Sequence, residues 1–251
     1  MNKGNKKVNA AIIIIGNEIL SGRTQDVNTK FLSKWLNDLG VNVEEVRVIA
    51  DKEDVIIGCI NEVRKKYDYV FTTGGIGPTH DDITSESIAR AFRLNYDYNT
   101  EAYSILEKYY KSGEFNDRRK KMAKLPEGAS LIYNPSSGAP GFILENVYCL
   151  PGVPSILKSM LGGLKNVILG GKPIISHTIN LRTVESEISK PLTFVQENNK
   201  EVEIGSYPFF RAGKVGVSIV LRSDDKSKIE VCNSQILEFV DEKKIDIIKS
   251  N

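Results

Sequence analysis

The segment from residue 69 to residue 84 constrains the fold of this chain most strongly. An apolar, β-rich run at residues 69 to 73 leads into a glycine turn, and a helical pattern begins at residue 85. The glycines of the turn are Gly74, Gly75 and Gly77. Glycine lets backbone N–H groups approach a ligand closely, and a helix start adds the positive end of its dipole. The segment therefore predicts a strand, an anion-binding turn and a helix in succession.

Two better-known phosphate-binding loops do not match this turn. A P-loop requires Lys followed by Ser or Thr after its last glycine, but Pro78 and Thr79 stand at those positions. The dinucleotide fingerprint requires a glycine three residues after its G-x-G pair, where this chain has His80. No lysine lies within the turn.

Paired carboxylates, Asp81 and Asp82, follow the turn directly. Carboxylates beside a phosphate repel it unless a cation lies between them, and Mg²⁺ commonly binds one or two carboxylates together with substrate phosphates. We therefore expect a metal-bridged phosphate or pyrophosphate site with Asp81 and Asp82 as metal ligands. The alternative is a tight strand-to-helix turn in which Asp82 or Thr84 caps the helix.

Composition excludes several classes of protein. The chain has 251 residues, of which 41% are hydrophobic and 26% charged, as expected of an ordinary globular protein with a substantial core. Its net charge is +2 and its basic residues are spread out, so no nucleic-acid partner is expected. No apolar run approaches the ~18 residues of a membrane span. Three widely spaced cysteines, Cys59, Cys149 and Cys232, indicate reduced thiols in a cytoplasmic protein.

Strand-like and helical patterns alternate along the first half of the chain. Apolar runs at residues 8 to 15, 41 to 49 and 70 to 72 are separated by helical patterns, which predicts a right-handed, doubly wound α/β fold with a parallel sheet. Asp51 stands just past the second strand, where open parallel sheets bind ligands, so it is a catalytic candidate. The alternative is that Asp51 offsets the dipole of the next helix.

Two later segments add candidate binding residues to the predicted α/β fold. Residues 95 to 124 form an insertion with a basic run, residues 118 to 121, for which a solvated helix face is expected and substrate steering is the alternative. A loop rich in Gly, Pro and Ser follows at residues 134 to 142. Such loops on a rigid sheet often carry binding groups, so Asn134 and residues 136 to 138 are candidate donors to a phosphate or a base.

A second domain is predicted near the carboxyl end. Glycines and prolines concentrate at residues 162 to 173, which suggests a boundary between a domain at 8–166 and a domain at 173–248. The later domain has the pattern βαββαβ, typical of a small ferredoxin-like α+β fold. Its strands are expected at residues 174–181, 202–206, 215–222 and 245–248, and an aromatic turn is expected at 207–211.

Four motifs in order resemble the molybdopterin-binding (MoaB/Mog-like) family, over essentially residues 8 to 245. They lie at residues 16–28, 72–84, 134–142 and 150–154. The Gly-Pro-Thr-x-Asp-Asp form of the glycine turn is most similar to the amino-terminal region of CinA-type members. It is also similar to the corresponding domain of eukaryotic FAD synthases.

The resemblance implies a three-layer αβα sandwich with a mostly parallel sheet that binds a nucleotide, dinucleotide or pterin phosphate. The acids of the family's ligand site correspond to Asp51 and Asp82. A homo-oligomer, dimer or trimer, is also implied. The residues expected to bind the ligand are Gly16, Glu18, Thr73, Gly74, Gly75, Gly77, Asn134, Ser137, Gly138, Pro151 and Gly152.

For CinA-type members the resemblance implies a pyrophosphatase that uses Mg²⁺, or another divalent cation such as Mn²⁺ or Co²⁺, on ADP-ribose or FAD-type substrates. Asp82, with Asp81 or Asp51, would be catalytic. For the Mog branch it implies transfer of AMP onto molybdopterin in molybdenum cofactor biosynthesis. One departure favours a third alternative, a non-catalytic nucleotide-binding module, because Ile156 replaces the glutamate usual in CinA-type members.

Overall fold

The computed structural model describes residues 7–211 and 213–248. The chain divides into two compact units between Gly171 and Lys172. Two clusters of buried side chains form the core of the first unit, and a third cluster forms the core of the second. Each unit therefore has a hydrophobic core of its own.

The first unit contains eight named strands and seven helices within the described residues. The strands are β1 (Val8–Ile15), β2 (Val41–Ile49), β3 (Tyr69–Thr73), β4 (Tyr96–Tyr98), β5 (Lys124–Pro126), β6 (Ser130–Ile132), β7 (Gly141–Leu144) and β8 (Val147–Leu150). The helices are α1 (Asn17–Leu20), α2 (Asn28–Asp38), α3 (Glu53–Val63), α4 (Thr84–Phe92), α5 (Thr100–Tyr109), α6 (Asp117–Lys121) and α7 (Pro154–Leu164).

Six strands form the central sheet in the order β2-β1-β3-β8-β7-β6. The pairs β1–β2, β1–β3 and β3–β8 are parallel, and only the pairings of β7 with β8 and β6 are antiparallel. The small pair β4–β5 forms a separate antiparallel sheet within the insertion. The predicted mostly parallel α/β sheet is confirmed.

The alternation of side chains along β1 explains the three layers. Ala10, Ile12 and Ile14 pack with residues of α2 and α7 on one face of the sheet. Ala11, Ile13 and Ile15 pack with residues of α3, α4 and α5 on the other face. Successive side chains of a strand point to opposite faces, so a continuous apolar run is buried on both sides. The sheet lies between two helical layers, as predicted.

The three cysteines are free and buried. Burial raises the pKa of the Cys149 thiol to about 12, and it also raises the pKa values of Cys59 and Cys232. A raised pKa keeps a thiol protonated, and the thiolate is the reactive form. The cysteines therefore serve as core side chains and are poor candidates for nucleophiles.

The second unit is a three-stranded antiparallel sheet with two helices. Its elements are β9 (Ile175–Leu181), α8 (Glu185–Asn198), β10 (Glu203–Arg211), β11 (Lys214–Ser223) and α9 (Lys226–Glu242). The strand order is β10-β11-β9, and a single antiparallel bridge joins Ile247 to Leu181 of β9. The small antiparallel sheet agrees with the α+β fold predicted for this region.

Two details of the second unit differ from the expectations. The predicted strand at 245–248 is reduced to the bridge at Ile247. The run at 207–211, expected as an aromatic turn, is the second half of β10. Pro208 is accommodated because β10 is at an edge of the sheet, where proline is tolerated in strands. No helix in the described part of the chain is long and apolar enough to cross a membrane.

Candidate functional site

The carboxyl ends of four parallel strands lie at one edge of the central sheet. Gly16 follows β1, Asp51 comes two residues after β2, Gly74 follows β3 and Pro151 follows β8. Since open α/β sheets bind ligands at the carboxyl ends of their strands, this edge is the candidate site. The strand order brings together four segments that are far apart in sequence.

Direct hydrogen bonds connect these strand ends. The amide of Gly16 donates to the Ile49 carbonyl at 3.2 Å, and the amide of Gly74 donates to the Leu150 carbonyl at 3.1 Å. The Gly152 carbonyl accepts from Nδ2 of the buried Asn28 at 2.8 Å. The edge is therefore a connected set of turns, each held by a neighbouring strand or helix.

Glycine is required in the turn after β3 for two separate reasons. Gly74 has a φ of 102°, and a Cβ there would lie 2.2 Å from the Ile15 carbonyl oxygen. Gly75 has a φ of 69°, and a Cβ there would lie 2.1 Å from Oγ1 of Thr84. The Thr84 amide donates to the Gly75 carbonyl at 2.9 Å, which closes the turn onto α4. Any larger residue would open this turn.

The closed turn leaves a row of backbone donors free. Within residues 7–211 and 213–248, the amides of Gly75, Ile76 and Gly77 donate to no protein group. The turn precedes α4, whose amino-terminal end carries partial positive charge. Consecutive backbone N–H groups in such a turn form a concave anion-binding nest. We call residues 74–77 the glycine nest.

Asp82 folds back toward the glycine nest. Its Oδ2 accepts hydrogen bonds from the amide of Thr79, at 2.8 Å, and from the Thr79 hydroxyl. A Cβ on Gly77 would lie 2.6 Å from the same oxygen. The amino-terminal capping residue of α4 is Ile83, with no side-chain bond, so neither Asp82 nor Thr84 caps the helix. The capping alternative for these residues is wrong, because Asp82 is engaged in the turn before the helix begins.

Asp81 is the more open of the paired acids. Its side chain is 66% exposed, and His80 Nδ1 lies 4.0 Å from its Oδ1. The pKa of Asp81 is held below its ordinary value, first by the neighbouring Thr79 side chain and second by the backbone amide of Asp81 itself. Asp81 is therefore an ionised carboxylate with room for a further ligand.

The acids of the site form no ready-made metal cage. Among the residues that the structure describes, no three His, Cys, Asp or Glu side chains are placed to hold one metal ion. Asp81 and Asp82 offer oxygen donors only, which are the ligands that Mg²⁺ prefers. Such a pair fits Mg²⁺ only if phosphate oxygens and water complete the coordination.

Asp51 and Glu18 lie at the same edge of the sheet, just after the ends of β2 and β1. Oδ2 of Asp51 accepts a hydrogen bond from the amide of Asn17 at 2.7 Å, so Asp51 fixes the start of α1. The carboxylate of Glu18 lies against Gly16, because a Cβ on that glycine would lie 2.6 Å from Oε1. Asp51 thus contacts the turn after β1, whereas Asp82 contacts the turn after β3.

The loop between β6 and β7 reaches the same edge two strands away from β3. Asn134 organises it: Oδ1 accepts from the amides of Ser136 and Ser137, and Nδ2 donates to the Ser137 hydroxyl and the Ala139 carbonyl. The Asn134 side chain is thus occupied within the loop. Gly138 lies under the ring of Tyr109, where a Cβ would be 2.7 Å from Cγ.

A cavity of about 460 Å³ borders this loop. Its walls come from α5, the loop and α7, and the Tyr133 hydroxyl donates to Glu101 at 2.6 Å beside it. Strand spacing of roughly 5 Å puts the loop on the order of 10 Å from the glycine nest. The edge is wide enough for a ligand longer than a single phosphate.

Sequence reasoning missed Lys121. Its Nζ donates to the Thr79 carbonyl at 2.6 Å and to the Asp82 carbonyl at 2.8 Å. The expectation of a solvated face for the basic run is wrong for this residue, because the insertion folds back onto the glycine turn. In the sequence, the basic run itself was the feature that pointed to this contact, through the alternative that the run serves an anion site.

Ile156 packs against the buried cluster of the α2–α7 layer. At the position where CinA-type members usually have a glutamate, this chain therefore has an apolar side chain that packs in the helical layer. A glutamate at this partly buried position would lie one helical turn from Met160, which is fully buried.

Comparison with known proteins identifies the family of this chain. Residues 11–197 match the family described as a probable molybdopterin binding domain. Residues 173–248 match the middle domain of FAD synthase. The match to the first family covers most of the chain, and it includes every strand of the central sheet apart from the first residues of β1.

Individual relatives agree with the family match. A protein of Archaeoglobus fulgidus is 34% identical over 233 residues, which are 93% of this chain and 98% of that protein. A protein of Saccharolobus islandicus is 36% identical over 203 residues, 78% of this chain and 77% of its own length. The crystal structure of CinA from Thermoplasma acidophilum, a protein of unknown function, superposes with a TM-score of 0.61 at 34% identity, covering 65% of this chain and 99% of that one. Over 65% of its length this chain has the fold of the Thermoplasma acidophilum CinA structure, and it belongs to the family of probable molybdopterin binding domains.

Proposed function

We propose that the first unit binds the phosphates of a nucleotide or dinucleotide at the glycine nest and hydrolyses a phosphoanhydride bond with the help of a divalent cation. One observation carries this proposal. The three free amides of residues 75–77 lie in a turn whose last glycine, Gly77, is against the carboxylate of Asp82, and Asp81 is the next residue in sequence. The amides favour an anion and the carboxylates favour a cation, so the site matches a metal-bound diphosphate.

The residues of the chain have distinct roles in this proposal. The amides of residues 75–77 hold one phosphate and stabilise the charge that develops on it as the bond to the leaving phosphate breaks. Thr79 keeps Asp82 oriented through its amide and hydroxyl. Asp51 keeps the turn after β1 in place through the amide of Asn17.

Mg²⁺, or Mn²⁺ or Co²⁺, held by Asp81, Asp82 and the phosphate oxygens would supply charge neutralisation and lower the pKa of an attacking water. The water oxygen bonds to one phosphorus, the bridging P–O bond breaks, and the leaving phosphate keeps the bonding electrons. From ADP-ribose or FAD one product is AMP. The proton released by the attacking water passes to solvent, which reaches the site because the Asp81 side chain is 66% exposed.

The test measures AMP release by chromatography from ADP-ribose and from FAD, with the full chain and each cation in turn. Asp82→Asn and Asp81→Asn should each lower the rate by about ten- to hundredfold, as for the loss of a metal-supporting group. Asp241→Asn, which removes an exposed carboxylate in the second unit, should leave the rate unchanged. Release of AMP from the wild-type chain at no more than the rate of Asp82→Asn would rule the hydrolase out.

A second candidate function is binding without turnover, of a nucleotide or of molybdopterin. Ile156 and the absence, among the described residues, of a three-acid cluster favour it. The family match favours a pterin ligand, either as a bound molecule or as the acceptor of AMP from ATP. Calorimetry with ADP and with a pterin phosphate, together with the AMP assay, separates the cases: tight binding without AMP release selects the binding module.

The assembly state belongs to the same proposal. We propose a homo-oligomer, dimer or trimer, and light scattering on the purified full chain measures it. A monomer at micromolar concentration would contradict it.

A further inference from the structure

Two residues of the basic run, Arg119 and Lys120, have their contacts inside the insertion. The guanidinium of Arg119 lies 4.2 Å from the centroid of the Tyr110 ring and donates to the Glu114 carbonyl at 2.6 Å. Lys120 lies 3.4 Å from Asp117. These cations therefore stabilise the short helix α6 and the aromatic cluster beside it.

Lys121 differs from them because it crosses to the glycine turn. Its two acceptors, the carbonyls of Thr79 and Asp82, are at the two ends of the segment 79–82, which contains the acid pair. An ammonium group has three N–H donors, so one donor remains after these two bonds. Among the described residues Lys121 forms no ion pair with Asp81 or Asp82, and its charge is therefore not cancelled by direct contact.

The fold holds Lys121 at this place. Asn116 caps α6 by accepting from the Arg119 amide, and α6 ends at Lys121 itself. The next residues, Met122 and Ala123, are buried in the core of the first unit. The Ala123 carbonyl accepts from the amide of Asn99 at 2.8 Å. The backbone of Lys121 is thus anchored on both sides, so its ammonium is directed at the turn by rigid neighbours.

We propose that Lys121 is a phosphate-binding residue of this site and supplies the cation that the glycine turn lacks in its own sequence. The proposal rests on the proposed function, because it deepens the phosphate site of the glycine nest. Asp81 and Asp82 repel a free phosphate, and an ammonium beside them offsets that repulsion even before a metal binds. Lysine binds phosphate as a point charge, and a charge-assisted hydrogen bond is stronger than a neutral one.

The experiment is calorimetric titration of the full chain with ADP and with inorganic pyrophosphate, in the presence and absence of Mg²⁺. Lys121→Met keeps the length of the side chain and removes its charge, so binding should weaken by about tenfold or more. Lys121→Arg should restore binding to within about threefold, because it keeps the charge and the donors. Lys120→Met, one position earlier on α6, should bind as the wild type does.

A comparison of Lys121→Arg with Lys121→Gln shows whether ligand binding depends on the charge of residue 121 or only on its hydrogen bonds to the turn. Glutamine can still donate to the two carbonyls but carries no charge, so it should bind at least about tenfold more weakly than the arginine variant. This comparison tests the assignment of Lys121 even if Lys121→Met does not fold. A thermal melt shows whether that variant folds. Equal binding by Arg and Gln variants, or wild-type binding by a folded Lys121→Met, would overturn the assignment of Lys121 alone. If the wild-type chain binds neither ADP nor pyrophosphate, the proposed function falls as well.

Discussion

The backbone of single glycines determines the shape of the glycine nest. Gly75 adopts a φ of 69°, and the space where its Cβ would stand is filled by Oγ1 of Thr84. Gly58, in contrast, lies on the exposed face of α3, and nothing is within 4 Å of its potential Cβ. An alanine is therefore strained and sterically hindered at position 75, whereas it has free space at position 58.

We expect Gly75→Ala to lower the free energy of unfolding by at least about 2 kcal/mol, because it combines a strained backbone with a steric overlap. Gly58→Ala should raise it by about 1 kcal/mol, since alanine is the better helix former. Urea denaturation of both variants measures the difference. A neutral Gly75→Ala would show that the turn can relax without cost, which the tight contact with Thr84 argues against.

At the scale of elements, an ion-pair network joins β2 to α3. Arg47 donates to both carboxylate oxygens of Glu62, at 2.8 and 2.7 Å, and Lys66 pairs with the same carboxylate. Hydrogen bonds from Arg47 and Lys66 lower the pKa of Glu62 to about 2, from an ordinary value of 4.5. The network connects the edge strand of the central sheet to one helical layer.

The depressed pKa of Glu62 has a consequence with a definite sign. The folded state binds this proton less readily than the unfolded state, so the stability from Glu62 is present above pH 4.5 and is lost as the pH falls toward 2. Glu62→Gln should therefore lose less stability than the wild type between pH 4.5 and 2. Chemical denaturation across this range measures it, with Glu44→Gln, an exposed position on β2, as the control. Parallel pH curves for Glu62→Gln and wild type would contradict the prediction.

At the scale of the whole molecule, the chain consists of two units with separate cores. Leu157 is fully buried in the first unit and Ile236 is fully buried in the second. Residues 170–173 between them are exposed. Units that bury their apolar side chains independently are expected to unfold independently.

We expect differential scanning calorimetry to show two transitions. Leu157→Ala should lower the temperature of one and Ile236→Ala that of the other, each costing about 2 to 5 kcal/mol for the cavity created. Brief proteolysis should cut first near residues 170–173. If both variants shift a single transition equally, the two units unfold as one cooperative body.

Most of the fold could be predicted because the patterns involved are local. The apolar run of β1 and the glycine after α2 specify their elements without reference to the rest of the chain; Gly40, for example, has the positive φ expected at a helix end. The predictions were wrong where contacts with neighbouring segments determine the structure. The run at 207–211 is β-strand because β11 pairs with it, whatever the turn propensity of Pro208. Asn134 has its donors and acceptors taken up by its own loop, which composition does not reveal.

By itself, the sequence determined most of the strands and helices, the glycine turn and the acids that follow it, since each depends on residues within one or two turns of chain. Only the tertiary structure decided which groups of the turn remain free and which cation faces them. Lys121 is 42 residues from Thr79 in sequence, and its bond to that carbonyl exists because the insertion packs its buried residues against the sheet. Contacts of that range depend on the path of the chain between them, and no local pattern encodes that path.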